Sequence, residues 1–173
     1  MSDLHDDDLR RGLAVARPDD PDLTHLAVVG DTYTVLLTGE QTAGRFALID
    51  MLIPPGGGPP PHRHAFEECF HVLAGSVEVT LRDDPPVRLQ AGETVNIPGH
   101  APHSFRNVGD DTARLLCTAV PAGLERFFAE FGDPVESRTA PAPPLSDEER
   151  QARLKRAVER APHYGMELLG GPR

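Results

Sequence analysis

A chain of 173 residues with 39% hydrophobic content is long enough for one domain with a single substantial core. Its 27 acidic against 17 basic residues leave a formal net charge of −10, which argues against nucleic acid and anionic membrane surfaces, since both partners need basic patches. The sequence carries no apolar run of bilayer length and opens on acidic rather than signal-like residues, so the cytoplasm is the expected compartment.

Residues 1–24 read as an acidic arm, with Asp3, Asp6, Asp7, Asp8, Asp19, Asp20 and Asp22 favouring a solvated segment. Residues 25–121 read as a β-barrel. Stretches rich in β-branched and apolar residues recur at 32–38, 45–53, 68–73, 76–81, 94–97 and 114–120. Turn chemistry separates them: Gly39, Gly44, Asp83-Asp-Pro-Pro86, Ala91-Gly92 and Gly109-Asp-Asp111. Many short strands at regular spacing predict an all-β sandwich or barrel. The Pro/Gly stretch 54–61 limits chain entropy and permits turns, so it can deliver His62 to a fixed place.

Residues 122–173 read as a helical extension. Leu124, Phe127, Phe128 and Phe131 follow the i, i+3, i+4, i+7 pattern of an amphipathic helix ended by Gly132. This stripe is expected to pack on the barrel wall; closing a cavity or meeting a second subunit are the alternatives. A proline-rich connector, 134–144, leads to Ser146-Asp-Glu-Glu149, a capping box predicting a helix to about Ala161, before Pro162. Its apolar stripe of Leu154, Val158 and Ala161 is thin, as for a helix docked on a surface. Cys69 and Cys117 make neither a Cys-x-x-Cys nor a disulfide framework, and both read as buried thiols acting as small apolar residues.

The chemistry concentrates in two stretches. On a strand, His62 and His64 leave the same face, and extending that parity reaches Glu68, although a turn or bulge is expected between Arg63 and Glu68. His103 must come from another strand facing the same interior, which a barrel provides. Three imidazoles and one carboxylate suit a divalent first-row metal (Fe, Mn, Co, Ni, Cu or Zn) and leave coordination positions open. Histidine pairs on strands are also often solvent-facing or hydrogen-bonded within a core, and the long downstream spacing weighs against that reading here. Glu67 has the wrong parity for a ligand, as do Cys69 and His71, which is expected on the outer face. His100 reads as an exposed turn residue, and His5, His25 and His163 carry no assigned role.

These residues make up two longer patterns. Gly56, His62, His64, Glu68 and Gly75 match the first motif of the cupin superfamily, and Gly92, Pro98, His103 and Asn107 match the second; His100 stands where that motif usually has Gly. The resemblance implies a double-stranded β-helix, or jelly-roll barrel, with His62, His64, Glu68 and His103 as metal ligands. Within the superfamily the chain resembles single-domain quercetinase-like proteins. That likeness rests on the 56–62 and 68–75 segments, Ile97-Pro98 through His103-Ser-Phe105, Val120-Pro-Ala-Gly123, and the tail from His163 to Gly170. It implies a flavonol-type substrate whose hydroxyl binds the metal and is deprotonated by Glu68, followed by attack of dioxygen. Two other readings stay open: a redox-neutral cyclase or isomerase acting on a polyketide-like precursor, and a non-catalytic binder of small molecules. Cupin barrels often pair, so a homodimer is expected.

Overall fold

Alternation of buried and exposed residues builds most of this molecule. In the computed structural model, which describes residues 10–169, Glu68, Phe70 and Val72 are buried while Glu67 and Leu73 are exposed. The same rule runs through Ala113, Leu115, Cys117 and Ala119. Asp3, His5, Asp6, Asp7, Asp8 and Gly170 lie outside the described residues.

Among the described residues the strands are β1 (Thr24–Val28), β2 (Asp31–Leu37), β3 (Ala47–Ile53), β4 (His62–His64), β5 (Glu67–Ala74), β6 (Ser76–Leu81), β7 (Val87–Gln90), β8 (Thr94–Ile97), β9 (His103–Asn107), β10 (Ala113–Val120), β11 (Asp133–Pro134) and β12 (Met166–Leu168). They form two antiparallel sheets, ordered β11-β1-β2-β3-β10-β5-β8 and β12-β4-β9-β6-β7. The expected all-β jelly roll is the observed architecture. The core includes Ile49, Met51, Phe70, Val72 and Leu115 from the larger sheet and Val77, Val79 and Phe105 from the smaller. Phe70 and Phe105 meet edge-on across the two sheets, with ring centroids 5.0 Å apart. Full burial of one such ring contributes about 2 kcal/mol.

The six predicted strands are all present, with ends shifted by no more than two residues. β11 and β12 are two and three residues long and show no periodicity of their own; only their pairing partners define them. β12 matters for the site. Met166 pairs with His64 and Leu168 with His62, so the C-terminal strand braces β4 on one side while β9 pairs it on the other, His62 opposite His103. Gly75, the last residue of the first motif, joins β5 to β6 at φ +73°, where a Cβ would lie 2.9 Å from the Ala113 Cα.

Helix α1 (Leu124–Phe131) ends as expected at Gly132, whose N–H donates to the Phe128 carbonyl at 2.7 Å. Its phenylalanine stripe packs into the core. Phe128 meets Tyr33 edge-on at 4.8 Å, and Tyr33 shares the inward-facing row of Leu26 and Met51. The helix therefore packs on the barrel wall as expected, against the inward row of β1–β3. Helix α2 (Asp147–Arg160) opens with both halves of the capping box between Ser146 and Glu149. Of the predicted stripe, Ala161 is buried and Leu154 half-buried, while Val158 gives its place to Ala157. Ala157 is buried and Val158 is 38% exposed, because the short alanine side chain allows close docking while ion pairs of Arg153 with Asp133 and Arg160 with Glu130 hold the polar flank.

Candidate metal centre

The four predicted ligands come together. His62 and His64 project inward from β4, His103 from the first position of β9, and Glu68 from β5. One potential ligand atom from each lies within 4.8 Å of the other three, and all four side chains are buried. One detail departs from the sequence reading. The bend at Ala65-Phe66 carries the chain from the smaller sheet to the larger, so the carboxylate faces the three imidazoles across the barrel instead of sharing their surface. Parity through the bend survives, with 62, 64, 66 and 68 all buried and 63, 65 and 67 exposed.

Each imidazole is aimed by a backbone carbonyl. His62 Nδ1 donates to Pro60 O at 2.9 Å, His64 Nδ1 to Phe66 O at 2.8 Å and His103 Nδ1 to Ala101 O at 2.9 Å. A proton on Nδ1 leaves the Nε2 lone pair as an acceptor. His64 Nε2 nevertheless sits 3.0 Å from Glu68 Oε2, and His103 Nε2 sits 3.4 Å from the same oxygen. His103 Nε2 is buried without a hydrogen-bond partner. Acceptors facing acceptors in a dry interior are costly unless a cation or a proton lies between them. The residues present fit a divalent metal by this test: three tautomerically fixed imidazoles and one carboxylate oxygen converge on one point.

The electrostatics agree. Burial, reinforced by the neighbouring His103, lowers the His62 pKa to about 4, keeping that imidazole neutral and its lone pair available at physiological pH. Burial alone would raise the Glu68 carboxyl, but a proton shared with His103 and His64, in the place a metal ion would take, more than reverses this and holds it well below the usual carboxylate range. Phe66 stacks flat on His64, with centroids 4.0 Å apart and planes 3° from parallel, which locks the ring orientation.

The remaining sequence candidates fall outside this cluster. Glu67 is exposed and accepts hydrogen bonds from Asn96 Nδ2 at 2.7 Å and Gly99 N–H at 3.1 Å, tying β5 to the loop that leads to β9. His71 pairs with Thr94 Oγ1 on the outer face. His25 is buried, but its ring bonds Thr34 Oγ1 and Asp20 O. Asn107 holds loops together: its Nδ2 donates to the Ile53 and Asp111 carbonyls, both at 2.8 Å. His100 occupies a left-handed turn at φ +64°, with its N–H bonded to His64 O at 2.6 Å. The turn normally built on Gly is therefore kept despite the substitution.

Two buried polar contacts were not foreseen from the sequence, which gave Cys117 as a buried thiol without a partner role. Cys117 Sγ donates to Glu68 Oε1 at 3.2 Å, and burial, followed by the Glu68 charge, pushes its pKa well up, so it remains a thiol. Asp31 and Tyr33 make a buried pair on β2, with Tyr33 OH donating to Asp31 Oδ2 at 3.0 Å. Inward parity with Glu68, read along β10 and β2, is the signal that could have found them.

Comparison with known proteins agrees with the observed fold. Residues 49–119 match the family model described as "Cupin domain", and that stretch holds all four clustered residues. This stretch is similar to a cupin domain, in keeping with the jelly-roll fold. Among curated relatives it is 36% identical over 92 residues to "Protein SchB" of Streptomyces halstedii, covering 53% of this chain and 66% of that protein. It is 37% identical over 90 residues to "Polyketide synthase CurC" of Streptomyces cyaneus, covering 50% and 56% respectively. The chain thus spans between half and two-thirds of the length of these two relatives. A solved structure described as a predicted oxalate decarboxylase from Thermotoga maritima superposes with a TM-score of 0.56 at 21% identity, covering 62% of this chain and 98% of that one. At that identity the likeness speaks for the cupin fold alone. No helix among the described residues is long and apolar enough to cross a membrane.

Proposed function

We propose that His62, His64, Glu68 and His103 hold one divalent transition metal, and that the protein is a dioxygenase acting on a small, hydroxyl-bearing aromatic substrate of flavonol type. The single observation that carries the metal is the packing of two imidazole Nε2 atoms against Glu68 Oε2 at 3.0 and 3.4 Å while their Nδ1 protons are already given to carbonyls. The ligand set is open to Fe, Mn, Co, Ni, Cu or Zn. A bound metal would supply Lewis acidity at its open positions and make a hydroxyl there more acidic.

The chain's own residues account for the rest. Glu68 presents Oε2 to the shared point, which places it to accept the proton of a substrate hydroxyl brought there. Phe66, stacked on His64, and Phe70 and Phe105 are among the buried aromatic side chains of the barrel interior, and they favour an apolar, planar substrate over a highly charged one. The quercetinase-like segments named above support dioxygenation. A second reading, redox-neutral cyclisation or isomerisation of a polyketide-like aromatic, is favoured by the similarity to a protein described as a polyketide synthase. Either enzyme is read as a cytoplasmic homodimer; sedimentation analysis tests the dimer.

The test pairs elemental analysis with oxygen-electrode turnover on a panel of flavonols and catechols. One metal per chain with oxygen uptake is the expected result. Metal-dependent turnover of a polyketide-type aromatic under anaerobic conditions would replace the first reading with the second, and no metal after reconstitution would overturn the centre itself. His103→Ala is expected to weaken metal binding by at least about tenfold. Glu68→Gln should retain much of the metal and lose turnover.

A further inference from the structure

Glu68 has two carboxylate oxygens with separate surroundings. Oε2 faces His64 and His103. Oε1 points the other way, into the larger sheet, where Cys117 Sγ donates to it at 3.2 Å. Register explains how a thiol comes to be there. β10 lies between β3 and β5, with Cys117 opposite Ile49 on one side and Phe70 on the other, while Glu68 lies opposite Ala119. Cys117 and Glu68 are therefore diagonal neighbours on the inward face, within reach of side chains of this length. The inward residues Ala47, Ile49, Phe70, Ile97 and Ala119 of this sheet have no side-chain donor to offer, and the inward Tyr33 hydroxyl donates to Asp31 Oδ2. Cys117 is fully buried. An aliphatic residue would pack at this position equally well but would leave Oε1 buried without a partner.

We propose that Cys117 is a positioning residue of the metal centre: its thiol holds Glu68 Oε1 back, so that the carboxylate offers the metal only Oε2. This rests on the metal-centre reading given above. A carboxylate held by one arm cannot swing to chelate through both oxygens. It therefore leaves a coordination position for substrate and keeps the proton-accepting oxygen in a constant place. A donor at the second oxygen is the outer support that orients ligands in metal sites generally, and its removal typically weakens metal binding by about 10- to 100-fold. The thiol itself is kept from the metal point by the carboxylate standing between them.

Cobalt(II) is the probe, because its visible absorption reports coordination number and geometry without any turnover. Wild type, Cys117→Ser, Cys117→Ala and Cys117→Val are titrated with Co(II), with far-UV circular dichroism as the folding check. The valine variant keeps the buried volume without a donor, so the result does not depend on how well the alanine variant folds. Wild type should take up one Co(II) per chain. Cys117→Ser, which keeps a donor, should reproduce its spectrum. Cys117→Ala and Cys117→Val should bind with unchanged stoichiometry, about tenfold more weakly, and with an altered visible spectrum. Superimposable spectra and affinities in all four proteins would overturn the proposal. So would equal changes in the serine and valine variants, since volume and not the donor would then be at issue. An intense sulfur-to-cobalt charge-transfer band in wild type would make Cys117 a ligand and also overturn it. Failure of wild type to bind Co(II) at all would instead sink the metal centre, and the proposal with it.

Discussion

Asp31 opens β2 with its carboxylate buried, 2% exposed. Oδ2 accepts from the Tyr33 hydroxyl, while Oδ1 has no hydrogen-bond partner among the described residues. Burial, opposed by the Tyr33 hydrogen bond, raises its pKa from 3.8 to about 7. The folded protein therefore holds a proton on Asp31 that the unfolded chain releases between about pH 4 and pH 7. Stability must fall as pH rises through that window, because the native state binds more protons than the unfolded state. The full penalty above the window is about 4 kcal/mol, of which roughly 1.7 is already present at about pH 5 and a further 2.5 or so appears by about pH 8. Asp31→Asn keeps the shape and an acceptor for Tyr33 but cannot ionise. The assay is urea unfolding of both proteins at matched metal content from about pH 5 to pH 8. It should be followed by far-UV circular dichroism, because the chain has no Trp to report by fluorescence. All other titrating groups are shared, so the difference between the two proteins isolates Asp31. The variant's advantage should grow by about 2.5 kcal/mol across the range. A difference flat to within about 0.5 kcal/mol would refute the argument, meaning that Asp31 ionises as readily inside the barrel as in water.

Two backbone predictions accompany this. His100→Gly removes a side chain from a left-handed turn at φ +64° and should stabilise the protein by about 0.5–1 kcal/mol, read as a higher melting temperature; a lower one would mean that the imidazole makes contacts outweighing the strain. Gly58→Ala puts a Cβ 2.2 Å from the Phe105 carbonyl oxygen at φ +123°, and should cost about 3 kcal/mol or more while disturbing the strand that starts with His103. A wild-type melting temperature in that variant would show that the 54–61 segment can shift freely without consequence for β9.

The candidate metal centre was legible because a coordination sphere would constrain residue type and register together. His62, His64, Glu68 and His103 must be those residue types, and they must fall on inward positions, so their spacing survives as a pattern in the chain. The long phenylalanine helix and the Ser146 capping box were legible for a similar reason, since both are local arrangements within one or two turns. The short strands were not. β12 exists only because β4 offers it an edge, and nothing in Met166-Glu-Leu168 taken alone favours a strand. Buried polar groups on other strands were hidden as well. Cys117 reads as a small apolar residue until the register of β10 against β5 is known, and Asp31, just before the predicted 32–38 strand, has no reading of its own until its burial is known. The same limit applies to the substrate. Metal ligands are recognised by their own chemistry, whereas a substrate wall is made of side chains such as Phe66, Phe70 and Phe105, which serve the core as well. Their residue types are set by packing first, so they leave in the sequence a record of the barrel rather than of the molecule it receives.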